Sequence, residues 1–342
     1  MRTFPIAAAA LAFAAFAPVP AAHAAAPARC QGVTVAVSMA PGEPADQRVA
    51  GTLCAPPGRR ATTVQVLVPG GTYGQGYWST RPAPRVPSYV ESMNRAGYAT
   101  LAIDRLGAGR SSRPSSDRYR PQTHTGTVQQ VLRELRAGRI GGRHFARVVL
   151  AGHSLGSAIA MRIAVDQPRA VDGIVLTGVA SRQNDAAFAE LEQALHPAGR
   201  DPRFAGLGLD DGYVTTRPGT RADFFYHRPT MAPATLAGDE AAAQPDVFPS
   251  FEAFPTPEEY RRIQVPVLLA VGRHDRLICG GAGSDCSGPA ALRAQEAPWY
   301  GPSARLRAVV VPGSGHSINL QRTAPILFEA VRSWADRHVA PR

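Results

Sequence analysis

The chain has 342 residues, 44% of them hydrophobic, and a formal net charge of +11 at pH 7. This length and composition can bury a sizeable core, in one large domain with an insertion or in two domains, and they exclude a disordered or fibrous protein. All 37 residues counted as lysine or arginine are arginines, which excludes a P-loop lysine, a pyridoxal Schiff base and a Ser-Lys dyad. Because the arginines are scattered rather than clustered, we predict no nucleic-acid site.

The N-terminus has the pattern of a secretory signal peptide. Arg2 precedes an apolar run over residues 6–17, and a small-x-small site ends at Ala24. We therefore predict that residues 1–24 are a cleaved signal peptide and that the mature chain, residues 25–342, is secreted. The alternative, a membrane anchor, is disfavoured because the apolar run is shorter than the roughly 20 residues that span a bilayer.

Strand and helix patterns alternate along most of the mature chain. Residues 31–38 and 48–53 flank a turn and predict an antiparallel hairpin. The later apolar runs show little alternation, which indicates strands buried on both faces of a parallel sheet, with amphipathic helices between them. We therefore predict a doubly wound, mostly parallel α/β sheet. The predicted buried strands are residues 63–68, 99–103, 147–151, 173–177, 265–271 and 306–311, and the predicted helices are residues 87–96, 125–137, 155–166 and 324–337.

Residues 181–262 break this alternation. The segment has short helical stretches, several prolines and an aromatic cluster from Phe224 to Tyr226. We predict a mainly helical cap inserted into one α/β domain that spans residues 25–342, because a disordered linker would not carry so many aromatic residues. We expect the aromatic cluster to hold the cap down rather than to line a pocket.

The four cysteines predict two disulfides. Their number is even, they form no C-x-x-C pair, and the chain is expected in an oxidising compartment. Of the three possible connectivities we favour Cys30–Cys54 and Cys279–Cys286, because each joins cysteines that are close in sequence. Free buried thiols are the alternative. Without C-x-x-C or H-E-x-x-H spacing we predict no metal site and no cofactor.

A single Gly-x-Ser-x-Gly pattern carries the first candidate for chemistry. Ser154 lies between Gly152 and Gly156, directly after the predicted strand at 147–151 and before the predicted helix at 155–166. A serine on so sharp a strand–turn–helix connection leaves no room for a Cβ two residues before or after it, which explains both glycines. We therefore predict Ser154 as a nucleophile rather than an ordinary helix cap.

A serine nucleophile needs a base, and the base needs a group that orients it. Asp275 follows the predicted strand at 265–271, and His316 follows the one at 306–311. We predict His316 as the base and Asp275 as the acid that orients it. Less favoured candidates are His153 and His274 for the base, Asp285 for the acid, and Asp104, for which we expect a structural turn.

The oxyanion that forms on attack needs two backbone N–H donors. Leu155 is the predicted first donor, because it follows the nucleophile at a helix N-terminus. The second should come from the loop after the strand at 63–68, where a glycine pair lets backbone approach a substrate. Gly71 is the preferred donor, and Thr72 is the second choice.

Together these motifs resemble the α/β-hydrolase superfamily over essentially the whole mature chain. The resemblance rests on the elbow around Ser154, residues 97–111, Gly272-x-x-Asp275 and Gly315-His316. It implies the same roles for Ser154, Asp275 and His316, and a lid formed by residues 181–262. One departure is that members usually have His-Gly where this chain has Pro69-Gly70. Relatives that dehalogenate or open epoxides have aspartate at the elbow, so a serine there implies acyl transfer.

We therefore predict a secreted serine esterase that cleaves a carboxylic ester or lactone of a small-molecule acyl substrate through an acyl-enzyme. Two alternatives stay open: an exported peptidase or amidase with the same triad, and a catalytically idle binding protein on this fold. The sequence leaves the substrate and the oligomeric state open.

Overall fold

The computed structural model describes Met1 and residues 28–56, 61–248 and 254–339. Apart from Met1, the predicted signal peptide at residues 1–24 lies outside the described residues. Ten strands are described: β1 (Arg29–Val37), β2 (Gln47–Ala55), β3 (Thr63–Val68), β4 (Ala99–Ile103), β5 (Arg147–His153), β6 (Gly173–Thr177), β7 (Leu195–Pro197), β8 (Val214–Thr216), β9 (Val267–Gly272) and β10 (Arg307–Val311).

Eight of these strands form one sheet, in the order β1-β2-β4-β3-β5-β6-β9-β10. β1 and β2 pair antiparallel, as the predicted hairpin requires, and β2 pairs antiparallel with β4. Every later neighbour is parallel, from β4 through β3, β5, β6 and β9 to β10. The predicted doubly wound, mostly parallel sheet is confirmed.

Helices connect the parallel strands and cover the sheet. α4 begins immediately after the elbow and buries nine of its twelve residues, which is possible because alanines keep much of its surface slim. No helix among the described residues is long and apolar enough to cross a membrane. The described helices are α1 (Gly76–Ser79), α2 (Tyr89–Arg95), α3 (Thr123–Arg136), α4 (Leu155–Asp166), α5 (Asp185–Gln193), α6 (Arg221–Phe225), α7 (Pro233–Ala241), α8 (Pro289–Glu296) and α9 (Ala324–His338).

The core lies on both faces of the sheet. Successive side chains of a strand point to opposite faces. In β5, Val148 and Leu150 therefore join one hydrophobic cluster, while Val149 and Ala151 join the other. This two-sided burial explains why the central strands are recognisable in the sequence as apolar runs without alternation.

The segment between β6 and β9 departs from the prediction in one respect. Its short helices α5, α6 and α7 agree with the expected helical stretches, but β7 and β8 also pair as a small antiparallel sheet. Strands of three residues are too short to show a period-2 pattern, so they carried no signal in the sequence. That residues 181–262 act as a cap stays a prediction.

Both disulfides have the predicted connectivity. Cys30 and Cys54 face each other across the β1–β2 pair and are bonded with an S–S distance of 2.04 Å. Cys279 and Cys286 are bonded at 1.97 Å and close a short loop after β9. No cysteine among the described residues is free.

Candidate active site

Ser154 occupies a strained turn between β5 and α4. Its backbone angles are φ 50° and ψ −117°, a combination that L-residues rarely adopt. A Cβ on Gly152 would lie 2.3 Å from the backbone of Gly156, and a Cβ on Gly156 would lie 2.2 Å from the carbonyl oxygen of Val68. Backbone atoms cannot yield at such distances, so the crowding inferred from the glycine spacing is present in the fold.

His316 and Asp275 are joined side chain to side chain. The loops that follow β10 and β9 carry them, and 1% of His316 and none of Asp275 is exposed. His316 Nδ1 lies 3.0 and 2.9 Å from the two carboxylate oxygens of Asp275. Because a carboxylate accepts hydrogen bonds, Nδ1 carries the proton, and Nε2 is left with the lone pair that a base needs.

Backbone groups hold Asp275 in place. The N–H groups of Leu277 and Ile278 donate to its Oδ1 at 3.0 and 3.2 Å. Asp275 therefore accepts from the turn that it opens as well as from His316. This turn continues into the loop closed by the Cys279–Cys286 disulfide, and Leu277 and Ile278 also line the cavity next to Ser154.

The cavity brings Ser154 and His316 to one place. Its volume is about 390 Å³, and both residues line it. A Cβ on Gly178, the residue after β6, would lie 2.9 Å from His316 Cε1, so the chain leaves space beside the ring only because this residue is glycine. The described residues that line the cavity with apolar side chains are Leu155, Ala158, Met161, Val179, Ala180, Phe188, Leu191, Leu195, Phe225, Phe248, Phe254, Pro255, Pro257, Leu277 and Ile278.

The two candidate donors in the loop after β3 differ in their hydrogen bonding. The N–H of Thr72 donates to Asp246 Oδ2 at 2.8 Å, so it is not available to an oxyanion. The second choice of oxyanion donor, Thr72, was therefore wrong, because its N–H is already bonded. Among the described residues the N–H of Gly71 has no acceptor, and Gly71 lines the cavity together with Leu155. Leu155 is the first residue of α4, whose N–H has no partner within the helix.

A buried ion pair that the sequence did not indicate lies behind this loop. Arg105 and Asp246 have side chains with no exposed surface, and Arg105 Nη1 lies 3.0 Å from Asp246 Oδ1. Arg105 also donates to the carbonyl oxygens of Pro69 and Gly70, at 3.1 and 2.8 Å. No local pattern could have found the pair, because its members are 141 residues apart in sequence.

A second buried ion pair, also unpredicted, joins the inserted segment to the same loop. Arg221 Nε lies 2.9 Å from Asp239 Oδ2, and Arg221 Nη1 donates to Thr72 Oγ1 at 3.0 Å. The guanidinium also lies over the ring of Tyr73, 4.1 Å from its centroid. Burial alone would lower the pKa of Arg221, but the charge of Asp239, its hydrogen bonds to Arg221 and the neighbouring Tyr73 and Tyr226 together outweigh burial, and the pKa is raised. Arg221 therefore stays charged inside the protein.

Tyr73 extends this contact to the residue after His316. Its hydroxyl lies 2.8 Å from Ser317 Oγ and 3.2 Å from Asp239 Oδ2. Burial raises the pKa of Tyr73 well above its usual range, so the hydroxyl keeps its proton. The loop after β3, the inserted segment and the loop after β10 are thus connected by hydrogen bonds through one tyrosine.

His153 and His274, the less favoured bases, have other contacts. The ring of His153 stacks on Tyr77, with centroids 4.2 Å apart. Burial holds its pKa well below the usual range, so it remains neutral. The ring of His274 stacks on His227 at 3.8 Å, while its neighbour Asp275 bonds to His316.

Asp104 accepts hydrogen bonds within a turn, as expected, and Asp285 is bonded to groups other than His316. Asp104 accepts from the N–H and the side-chain amide of Gln75, each at 2.7 Å, and from the N–H of Arg110 at 3.1 Å. It therefore holds the turn after β4. Asp285 is exposed and accepts from the N–H of Ser287 at 2.9 Å.

The expectation for the aromatic cluster is only partly met. Phe225 lines the cavity, contrary to the expectation that the cluster holds the insert down. Tyr226 donates to Asp239 at 2.9 Å, and Phe224 lies under the guanidinium of Arg276 at 5.1 Å. One short helix, α6, therefore divides its aromatic side chains between the cavity and the packing of the insert.

Comparison with known proteins identifies the family. Residues 65–327 match the model of the alpha/beta hydrolase family, and the chain belongs to that family. A thermophilic esterase from Thermogutta terrifontis has 17% sequence identity and a TM-score of 0.60, with 90% of this chain and 99% of that one covered. The naproxen esterase of Bacillus subtilis has 16% identity and a TM-score of 0.61, with 90% and 92% covered. At these identities the likeness concerns the fold.

A relative in sequence covers less of the chain. A candidate carbamate hydrolase of Klebsiella pneumoniae, RutD, is 30% identical over 139 residues, which are 40% of this chain. The match spans 46% of the length of that relative.

Proposed function

We propose that the chain is a secreted serine hydrolase that cleaves carboxylic esters or lactones with Ser154, His316 and Asp275. The observation that carries this proposal is the strained Ser154 at the wall of one cavity with a histidine whose Nδ1 is bonded to a buried carboxylate. Backbone strain of this kind persists only where the surrounding fold enforces it, and it is concentrated at functional sites.

The reaction proceeds in two halves. Ser154 Oγ attacks the ester carbonyl while His316 Nε2 takes the hydroxyl proton, and Asp275 stabilises the resulting imidazolium. The tetrahedral intermediate collapses as His316 returns the proton to the departing alcohol oxygen, leaving an acyl-serine. Water then attacks the acyl-serine, with its proton passing through His316 back to Ser154, and the carboxylic acid leaves.

The N–H groups of Leu155 and Gly71 bind the oxyanion in this proposal. Both residues line the cavity, and neither N–H has an acceptor among the described residues. Preorganised donors of this kind stabilise the charge of the tetrahedral state without reorganisation.

The cavity supports a neutral, apolar acyl group. Its described lining contains no arginine although the chain has 37 basic residues, and Glu192, its one carboxylate, is exposed. An apolar acyl chain gives up no hydrogen bonds with water when it is buried there, whereas an ionised group would lose its hydration and find no charged partner. Aminoacyl substrates carry an ammonium group that would need a buried carboxylate. The lining of the cavity therefore favours an esterase over a peptidase.

The two disulfides support export. Such bonds persist in oxidising compartments and are uncommon in the cytosol. Secretion can be tested by N-terminal sequencing of the protein from culture medium, with Ala25 expected as the first residue.

Active-site labelling and a substrate panel test the proposed activity. A fluorophosphonate should label the wild type and leave Ser154→Ala unlabelled. The panel should contain p-nitrophenyl esters of increasing acyl length, lactones, aryl carbamates and aminoacyl anilides, with turnover expected for esters. His316→Gln should lower kcat by about 10⁴-fold or more.

A matched control is available for the base. His274 precedes Asp275 directly but stacks on His227, so His274→Gln should keep kcat within about twofold of wild type. Equal labelling of wild type and Ser154→Ala would overturn the serine mechanism. Turnover of anilides but not of esters would instead favour the amidase alternative.

A further inference from the structure

We propose that Arg105 and Asp246 are positioning residues that aim the N–H of Gly71 at the oxyanion. This inference rests on the proposed function, since it concerns the second donor of the same site. The pair does not line the cavity, so any effect on catalysis must pass through the loop from Pro69 to Thr72.

The contacts hold the loop on both sides of Gly71. Before it, Arg105 donates to the carbonyl oxygens of Pro69 and Gly70, at 3.1 and 2.8 Å. After it, Asp246 Oδ2 accepts the N–H of Thr72 at 2.8 Å. Pro69, Gly70 and Thr72, on both sides of Gly71, are therefore bonded to one ion pair, while the N–H of Gly71 has no acceptor among the described residues.

Peptide geometry makes these contacts directional. The carbonyl of Gly70 and the N–H of Gly71 belong to the same planar trans peptide, so they point in opposite directions. When Arg105 fixes the carbonyl on its own side, the N–H of Gly71 points away from Arg105. Gly71 lines the cavity, and a free donor there is what an oxyanion requires.

The conformation of the loop needs such restraint. Thr72 has φ 58°, in the left-handed region that a β-branched residue avoids. Its N–H is bonded to Asp246, and its hydroxyl accepts from Arg221 Nη1 at 3.0 Å. Without Asp246 the residue would relax towards a common conformation, and the peptide before Gly71 would turn with it.

The ion pair is rigid enough for this purpose. Both side chains are fully buried, and Asp246 Oδ1 also accepts the N–H of Val247 at 2.9 Å. The planar guanidinium donates to four oxygens at once, the carbonyls of Pro69 and Gly70 and both carboxylate oxygens of Asp246, which exceeds the three N–H donors of an ammonium. Because neither side chain of the ion pair is free to move, the pair can hold the loop in one position.

Kinetics of Asp246→Asn and Arg105→Lys test the inference. Both variants keep a side chain of similar size, but neither can make all the hydrogen bonds of the residue that it replaces. With a p-nitrophenyl ester each should lower kcat by about 10- to 100-fold and leave KM within about threefold, because the N–H acts in the transition state. A thionoester gains less from N–H donors, since sulfur is a weak acceptor, and should lose less than about threefold in kcat.

Asp172→Asn is the matched control. Asp172 accepts from Arg136 and Arg147, at 2.6 and 2.8 Å, and from the N–H of Val148 at 2.8 Å. It resembles Asp246 in its bonding but lies at the start of β5 and β6, at the end of the sheet opposite to Ser154. The Asp172→Asn variant should keep kcat for the ester and kcat for the thionoester within about twofold of the wild-type values.

The outcomes are distinguishable. A wild type that neither reacts with a fluorophosphonate nor hydrolyses esters would refute the proposed function itself. An active wild type whose Asp246→Asn variant slows the ester and the thionoester equally, or behaves like Asp172→Asn, would overturn the positioning role alone. Should Asp246→Asn fail to fold, Arg105→Lys, which keeps both charges, provides the same test: the loss in kcat for the ester is compared with the loss in kcat for the thionoester.

Discussion

A buried histidine beside this ion pair should make stability depend on pH. His124 is 2% exposed, and its Nε2–H donates to the carbonyl oxygen of Val247 at 3.0 Å. Burial, followed by the charge of Arg105, lowers the pKa of His124 from 6.5 to about 4, although Asp246 acts in the opposite direction. Its Nδ1 has no hydrogen-bond partner among the described residues, so a proton added there would be buried without an acceptor.

The sign and size of the effect follow from proton linkage. The unfolded chain takes up a proton near pH 6.5, whereas the folded chain takes it up only near pH 4. Stability from neutral His124 is therefore complete above pH 6.5 and is lost as the pH falls towards 4. At about 1.4 kcal/mol per pH unit, the loss reaches about 2.5 kcal/mol at pH 4.5.

Urea unfolding of the oxidised protein between pH 4.5 and 8.5 measures this. His124→Gln keeps a side-chain N–H that can donate to Val247 but does not titrate. The free energy of unfolding of wild type, minus that of the variant, should be constant above pH 7.5 and fall by about 2.5 kcal/mol towards pH 4.5. Taking this difference removes the contribution of other titrating groups, such as the buried His153. A difference that stays constant across the whole range would refute the low pKa of His124.

Two further predictions concern the elbow and the second disulfide. Gly156→Ala places a methyl 2.2 Å from the carbonyl of Val68, so thermal unfolding should show a strongly lowered Tm, whereas Gly126→Ala in α3, with open space around its Cβ, should raise stability by about 0.5–1 kcal/mol. Unchanged Tm in Gly156→Ala would contradict the crowding. Replacing Cys279 and Cys286 by serine opens an eight-residue loop and should cost about 2.5 kcal/mol in urea unfolding. It should also lower kcat, because the loop adjoins the turn of Asp275, and mass spectrometry that finds free thiols in the wild type would contradict this.

The local elements were predictable because their signals are local. β3, β4, β6 and α4 have the bounds expected from the sequence, since a strand buried on both faces is an unbroken apolar run and a helix repeats every 3.6 residues. The elbow was predictable for a similar reason: the need for glycine on each side of Ser154 is a steric rule over five residues. The Asp275–His316 pairing followed because parallel strands end at one edge of the sheet.

Other features were missed because their signals are weak or distant. β7 and β8 are too short to show a period. Gly71 was already the preferred donor, but the reason that the N–H of Thr72 is occupied was missed, because its acceptor, Asp246, lies 174 residues away in sequence. Arg105 stands in the turn after β4, where a single arginine among many gave no sign that it would be buried.

The sequence by itself determined the sheet, the elbow and the order of the three candidate catalytic residues, because steric crowding and hydrophobic periodicity act between neighbours along the chain. Only the tertiary structure decided which donor is free and which charges are buried behind it. A buried ion pair is stable only when both partners meet away from water, and that meeting is set by the path of the chain. Arg105 and Asp246 are therefore unremarkable as letters and become a support for the site only in the folded protein.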